Sequence, residues 1–475
     1  MKIMSDLIKQ ITQFFPHKPT SGQHAALRTL SEFLLCGEQE SAFLFRGYAG
    51  TGKSSLMAAL VRYLKSCRQK VVLLAPTGRA ARRLTDFSEE KASTIHRCIY
   101  RRSASVSTNG TFSLAPNKHR HTFFIVDEAS MIALESGESI FGSGRLLDDL
   151  IHYIHSGEGC RMLLAGDNAQ LPPVGEAFSA ALDADYLRGY GLQVFTAELT
   201  EVVRQAEESG ILWNATHLRK YITAESDAGA LKLRTQRFSD VVCLSGSDLI
   251  DALGDSYAQE GTNETLVITR SNHHAMRYNL GIRRTILDYE EELCRGDRIM
   301  ICRNHYAADP ENSADFIANG DMVIVRRMRR ERELYGFRFA DVTFSLPDAP
   351  DVERDEVLML DVLGGESAAL SKADSHKLYQ AILEDYAHLP RMADRMQAMR
   401  RDPYYNALHA KYGYAVTTHK AQGGQWAHVY LDTGFVPPEQ LTTEYLRWLY
   451  TAITRATKRL YLVNYPESGT DSTEN

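Results

Sequence analysis

The chain is predicted to be an α/β protein built on two parallel-sheet lobes. From Ser41 to about Val194, short apolar runs (AFLF, VVLLA, FFIVD, MLLAGD) alternate with helical patterns, as in a doubly wound sheet. A second series follows, with TLVITRS near Leu266, DRIMICR near Met300, HVYLD near Val429 and RLYLVN near Leu460. A glycine-rich loop sits at the end of the first apolar run, where such a sheet presents its ligand site.

That loop reads GYAGTGKS from Gly47 to Ser54, between the run Ala42 to Phe45 and a helical stretch in which Leu56, Leu60, Leu64 and Cys67 recur at helical spacing. Glycines at Gly47, Gly50 and Gly52 let backbone N–H groups, with those of Thr51 and Ser55, turn inward around a phosphate chain. Lys53 can reach the β and γ oxygens, and the Ser54 hydroxyl can ligate Mg²⁺. The helix that follows turns its positive dipole end toward the phosphates. The chain is therefore expected to bind a nucleoside triphosphate with Mg²⁺.

Phe123 to Val126 is a buried-strand run ending in Asp127-Glu128. Carboxylates at the end of a central strand can hold the metal (Asp127) and polarise a water (Glu128). Alone the pair is a weak signal; after a phosphate loop in the same chain it is a strong one.

Composition narrows the partners. The chain has 475 residues, 44% apolar and 24% charged, enough for two to four domains. A net charge of −6 argues against a histone-like binder but leaves room for a cationic channel. Seven scattered cysteines contain no C-x-x-C pair, so neither a disulfide framework nor a zinc site is expected. No run approaches membrane-spanning length and the N-terminus lacks a cleavage site, so a cytoplasmic location is expected.

Two stretches interrupt the lobes. Between His96 and His121 the polar segment IYRRSASVSTNGTFSLAPNKHRH centres on Asn109-Gly110, a hairpin-turn signal, and reads as a β-hairpin arm or a surface loop. Between Asp321 and about Ala407, MVIVRRM, LYGFRFADVTFSL and EVLMLDVL read as strands of a small barrel, followed by a helical Arg-rich stretch. The run Arg326, Arg327, Arg329, Arg330 and Arg332 is either a DNA border or a solvated face.

Several further motifs appear in one order: Thr20-x-x-Gln23, APTGRAA (Ala75 to Ala81), STIH (Ser93 to His96), IVDEAS (Ile125 to Ser130), GDNAQLPPVG (Gly166 to Gly175), VVRQ (Val202 to Gln205), TTHKAQGGQW (Thr417 to Trp426) and YTAITRATKRL (Tyr450 to Leu460). With the phosphate loop, this ordered set resembles superfamily 1 helicases, in the 5′-to-3′ branch that contains RecD and Dda, over most of the chain. The resemblance implies that Gln23 reads the adenine edge and that Gln170 senses the γ-phosphate or attacking water. It implies that Arg204 and Arg455 reach the γ-phosphate from the second lobe, and that Gly424 and Gln425 border the nucleotide. Relatives usually carry Glu where Gln425 stands, so hydrogen bonding there is retained without charge assistance. Pro76, Thr77, Thr94, His96, Thr417, His419 and Lys420 resemble residues lining a single-strand channel, where contacts to phosphates carry no sequence information. Thr94 also suits a helix N-cap.

The expected architecture is two RecA-like P-loop lobes with an inserted β-hairpin arm and a small SH3-like β-barrel. The first lobe takes 1–95 and 123–197, the arm 96–122, the second lobe 198–320 and 408–475, and the barrel with its helices 321–407. The resemblance implies an ATP- and Mg²⁺-dependent DNA helicase moving 5′-to-3′, a monomeric motor on single-stranded and forked DNA working with replication or repair proteins. The alternative is an ATP-gated single-strand translocase that does not unwind processively.

Overall fold

The computed structural model describes residues 2–102, 112–135, 141–203, 208–224, 231–303, 305–306, 316–317, 319–347, 349–365, 367, 369–399, 401–437 and 440–466. In chain order the first part runs α1 (Lys2–Thr12), α2 (Ser21–Leu35), β1 (Ser41–Gly47), α3 (Lys53–Ser66), β2 (Lys70–Ala75), α4 (Gly78–Ser88), β3 (Ala92–Thr94), α5 (Ile95–Ile99), β4 (Tyr100–Arg102), β5 (Phe112–Leu114), β6 (Thr122–Val126), α6 (Leu146–His155), β7 (Arg161–Gly166), α7 (Ala184–Arg188) and β8 (Gln193–Leu199). Its sheet has the order β3-β2-β6-β7-β1-β8, and every pairing is parallel.

Period-two alternation explains why this sheet is covered on both faces. Phe43 and Phe45 of β1 pack with Leu27, Leu30 and Phe33 of α2 and Leu60 and Leu64 of α3. Ala42 and Leu44 of the same strand join Leu147, Leu150 and Ile154 of α6 on the other side. All four strand residues are at most 1% exposed. The capping box Thr20…Gln23 opens α2, which is the physical content of the first motif.

The chain continues through α8 (Gly210–Ala224), β9 (Val241–Leu244), α9 (Leu249–Glu260), β10 (Thr265–Thr269), α10 (Asn272–Gly281), β11 (Arg298–Ile301), the two-residue strands β12 (His305–Tyr306) and β13 (Phe316–Ile317), then β14 (Met322–Leu334), β15 (Phe337–Leu346) and β16 (Ala349–Met359). Next come α11 (Leu360–Leu363), α12 (Lys372–Asp385), α13 (Met392–Met399), β17 (Ala410–Tyr412), β18 (Ala415–Thr417), α14 (Thr418–Ala421), β19 (Trp426–Asp432), α15 (Thr443–Ile453) and β20 (Ala456–Val463). A second parallel sheet has the order β18-β10-β19-β20-β9.

Strands β16-β15-β14-β11-β17 form a separate antiparallel sheet. Here the structure corrects one expectation: Arg298–Ile301, grouped with the second parallel series, pairs antiparallel with β14 and β17 instead. An apolar run of four residues carries no information on its partner's direction, so its sequence could not separate the two. The three strand-like pieces after Asp321 are β14, β15 and β16. Leu408 bridges to Leu358 of β16 just before the chain enters β17. The arginine run on β14 faces carboxylates across the ladder, with Arg329 to Asp355 at 3.2 Å and Arg332 to Asp341 at 2.8 Å, as a solvated face would.

The chain leaves the parallel sheet for the antiparallel one between β10 and β11 and returns through Gly413 and Tyr414, between β17 and β18. That joint is braced. Asn279 of α10 accepts from the N–H groups of Tyr414 and Ala415, and the Tyr414 hydroxyl donates to Asp297, itself held by Arg283 at 2.8 Å.

Within the expected arm, β4 and β5 pair antiparallel, and Phe112 stacks on Phe141 at 4.8 Å. The Asn109-Gly110 turn lies outside the described residues. No helix among the described residues is long and apolar enough to cross a membrane.

Candidate nucleotide site and interlobe cleft

The phosphate loop leaves β1 at Gly47 and enters α3 at Lys53. Gly50 and Gly52 hold φ of 75° and 81°, which side chains disfavour. A Cβ at Gly52 would also meet the Gln23 amide nitrogen at 2.5 Å. Thr51 is buried and donates its hydroxyl to Tyr48 O at 2.8 Å, which ties the loop to itself. Lys53 Nζ lies 3.4 Å from Gly47 O, while Ser54 and Ser55 open the first turn of α3, where unsatisfied N–H groups suit an anion. Gln23 touches this loop: its Nε2 donates to Thr51 O at 3.0 Å and its Oε1 accepts from Thr20 N at 2.9 Å.

Strand β6 delivers Asp127 and Glu128, 5% and 4% exposed, into the same cleft. Burial pushes the Asp127 carboxyl up, with the Lys53 charge pulling it back. For Glu128 burial acts in the same upward sense, yet Arg83, Lys53 and Arg455 together outweigh it and hold the carboxyl below its ordinary range. Arg83 Nη1 is 3.4 Å from Glu128 Oε1. Asp127 Oδ1, Glu128 Oε2, Ser130 Oγ and Gln170 Oε1 are buried without a hydrogen-bond partner. Such orphaned oxygens are costly unless a ligand completes them. All four are hard-oxygen donors, of the chemistry that suits Mg²⁺ and its water.

The second sheet closes the cleft through α15. Tyr450 Oη accepts from the phosphate-loop Ala49 N–H at 3.0 Å and donates to Asp167 Oδ2 at 2.6 Å. Thr451 Oγ1 accepts from Leu171 N at 2.9 Å, and Gln422 Nε2 donates to Leu171 O at 2.9 Å. Ala169 and Leu171 join the core of the second sheet, with Leu446, Leu449 and Ile453. The GDNAQ loop is thus clasped from across the cleft, which brings Gln170 beside Glu128.

Arg455 follows α15 and is 2% exposed; it donates to Thr451 O at 2.9 Å and Gly424 O at 3.1 Å. Its charge acts on Glu128. Gly424 packs so closely on Trp426 that a Cβ would meet the ring at 2.5 Å. Gln425 offers its carbonyl to Arg79 at 3.4 Å. Arg204 lies outside the described residues.

The expected DNA contacts fall on both sides of the cleft. Thr77 caps α4 and Thr94 caps α5 through their hydroxyls, and Pro76 precedes the first cap. Thr77 of the first lobe abuts Gly423 of the second, where a Cβ would come within 3.0 Å of its hydroxyl. Thr417 stands at the N-cap position of the short α14 without a side-chain cap bond, and α14 carries the exposed His419 and the half-buried Lys420. Lys420 Nζ donates to Asn319 at 2.9 Å. Two residues on, Asp321 stands at the N-terminus of α4, its carboxylate in the space a Gly78 side chain would need. His96 sits apart: its ring packs on Tyr100 and Phe141 at 5.7 and 5.0 Å, and burial lowers it to about 4.

Sequence reasoning passed over Tyr450 and Asp167, although both lie inside motifs it quoted. It also passed over Arg83 and over Arg79, which stacks on Trp426 at 3.9 Å. A tyrosine three residues before the end of an apolar helix reads as core until its partner loop is placed beside it.

Two parallel sheets, a phosphate loop on one and an arginine just past a helix of the other define a two-lobed P-loop nucleoside triphosphatase. A family model for an AAA domain matches residues 19–233, and one for a UvrD-like helicase C-terminal domain matches 412–463. The ATP-dependent RecD2 DNA helicase of Deinococcus radiodurans is 33% identical over 174 residues, 35% of this chain and 20% of that protein. The uncharacterized protein R530 of Acanthamoeba polyphaga mimivirus is 21% identical across 92% of this chain and 98% of its own. Among solved structures, Pif1 helicases on forked DNA align over 94% of this chain and 92% of theirs, at 15% identity and a TM-score of 0.48. Pif1 from Candida albicans covers 96% and 97%, at 16% and 0.44. With the ordered motifs, the family models and the RecD2 match make the chain similar to superfamily 1 helicases of the RecD-like branch.

Proposed function

We propose that the protein is an ATP-dependent DNA helicase that moves 5′-to-3′ on single-stranded DNA and unwinds duplex DNA. One observation carries the reading: the groups that hydrolysis needs are divided between two lobes and meet at Glu128, where Lys53 and Arg83 approach from the first sheet and Arg455 from the second. A site split in this way can be completed and dissolved by lobe motion.

In this reading Ser54 and Asp127 hold Mg²⁺, which neutralises phosphate charge when bound. Lys53 and the 47–55 amides bind the β and γ phosphates. Glu128, ionised at neutral pH, takes the proton of the attacking water, which Gln170 orients. Arg455, with Arg204, stabilises charge on the transferring phosphoryl oxygens. Gln23 lies beside the loop to face the base, and Gly424 and Gln425 border the nucleotide from the second lobe.

Pro76, Thr77, Thr94 and His96 on one lobe and Thr417, His419 and Lys420 on the other would grip a single strand alternately as the cleft opens and closes. His96 would act through its exposed edge. The segment 96–122 would part the duplex, 321–407 would serve as an SH3-like barrel beside it, and 1–95 with 123–197 and 198–320 with 408–475 would form the two motor lobes. Polarity rests on the likeness to the RecD branch.

Strand displacement with 5′- and 3′-tailed duplexes tests activity, class and direction together. Unwinding of the 5′-tailed substrate alone is expected. Single-strand-stimulated ATPase without displacement would leave a translocase, and no DNA stimulation would overturn the reading.

A further inference from the structure

Arg46 at the end of β1 pairs with Gly166 at the end of β7, so the phosphate loop and the 167–171 loop leave neighbouring parallel strands side by side. Into the gap between them comes one hydroxyl from the opposite lobe. Tyr450 is 1% exposed and Asp167 2%. The Ala49 N–H donates to Tyr450 Oη, the Tyr450 O–H donates to Asp167 Oδ2, and Asp167 Oδ1 accepts from Ala169 N at 2.9 Å. Both roles of the phenol oxygen are therefore used, and the chain of bonds runs from the phosphate loop through the second lobe to the 167–171 loop without interruption.

Packing alone does not call for this hydroxyl. A phenylalanine would fill the same core, and a buried tyrosine with a carboxylate acceptor is retained where its bond has a use. The helix that carries Tyr450 ends at Ile453, and Arg455 follows two residues beyond. Any change in how α15 is seated on the two loops therefore changes where that guanidinium stands relative to Glu128.

We infer that Tyr450 is a positioning residue of the nucleotide cycle: its hydroxyl registers α15, and with it Arg455, against the phosphate loop and the 167–171 loop in the closed cleft. This rests on the motor reading above and deepens it. Strand binding between the lobes would act on hydrolysis through this register, since α14 and α15 belong to the same lobe and Gln422, just past α14, holds Leu171. Asp167, held at one oxygen by its own loop and at the other by Tyr450, is the fixed point on the first-lobe side.

The test is steady-state ATPase with oligo(dT) on Tyr450→Phe, Asp167→Asn and the double variant, with thermal midpoints measured alongside. Losing a buried bond to a charged acceptor should lower DNA-stimulated kcat about tenfold or more. KM for ATP should stay within about twofold, because the Ala49 amide is not a charge contact to nucleotide. The effects should be non-additive, the double variant being no slower than Tyr450→Phe, because both changes cut one chain of bonds. A general loss of fold would instead raise KM, lower the midpoint and add across the two sites, and that pattern overturns the inference. So does an unchanged kcat. If Tyr450→Phe does not fold, Asp167→Asn carries the kcat-against-KM comparison. A wild-type protein whose ATPase ignores oligo(dT) would instead overturn the motor reading itself, before any variant is compared.

Discussion

Arg83 Nη1 stands 3.4 Å from Glu128 Oε1, so the proposed general base is held by a guanidinium of its own lobe. Burial raises Glu128, and Arg83, Lys53 and Arg455 more than reverse it. A base with a depressed pKa is ionised above that pKa and loses activity as pH falls through it. Removing Arg83 takes away the largest opposing charge, so Arg83→Ala should move the acid limb of the kcat–pH profile upward. An unmoved limb would show that Arg83 does not govern Glu128 in the working enzyme.

Lys53→Ala should reduce ATP hydrolysis to background while the fold persists, since Lys53 is partly exposed at the start of α3 and packs no core. Circular dichroism with a phosphate-release assay checks both halves. Turnover in the folded variant would remove Lys53 from the site.

Arg455→Ala should slow hydrolysis by about 10³-fold, the lower range for loss of an arginine finger, with nucleotide binding nearly intact. Its buried bonds to Thr451 O and Gly424 O also tie α15 to the 424 turn, so some loss of thermal stability should accompany the kinetic loss. Normal turnover with weakened nucleotide affinity would assign Arg455 to binding instead.

Asp321→Asn should tighten single-stranded DNA binding. Its carboxylate faces the N-terminus of α4, where a DNA phosphate is expected, and like charges compete for a helix N-terminus. The gain should be about two- to fivefold at low ionic strength and fade as salt rises. Fluorescence anisotropy across a salt series measures it, and weaker binding by the variant would show that Asp321 supports the channel.

Replacing Ala104 to Pro116 with a short Gly/Ser linker should abolish unwinding of a 5′-tailed duplex and spare single-strand-stimulated ATPase. Joint loss would make the segment part of the motor or fold. The replacement takes out β5 and the Phe112–Phe141 stacking together with the turn, and leaves β4 in place.

What could be read before the structure was the chemistry that is local in sequence. The phosphate loop, the cap at Thr94 and the strand-plus-carboxylate at Asp127 are each set by residues a few positions apart, and their periodicity places them on a strand end or a helix start. Tyr450 with Asp167, Arg83 with Glu128 and Asp321 at Gly78 are contacts between residues 45 to 283 positions apart, or across lobes, and no local pattern announces them. The placement of Arg298–Ile301 failed for the same reason, because a strand's partner is a tertiary choice. The arginine run of β14 was legible only as two options until the facing strands supplied its carboxylates.

The braced link at Gly413 and Tyr414 has a mechanical consequence. A hinge would need dihedral freedom there, but Asn279, Asp297 and Arg283 pin the backbone and the phenol together. The antiparallel sheet therefore meets β18 without slack at this connection, and a displacement of β17 would pass to Thr417 and α14 rather than be absorbed at residues 413 and 414.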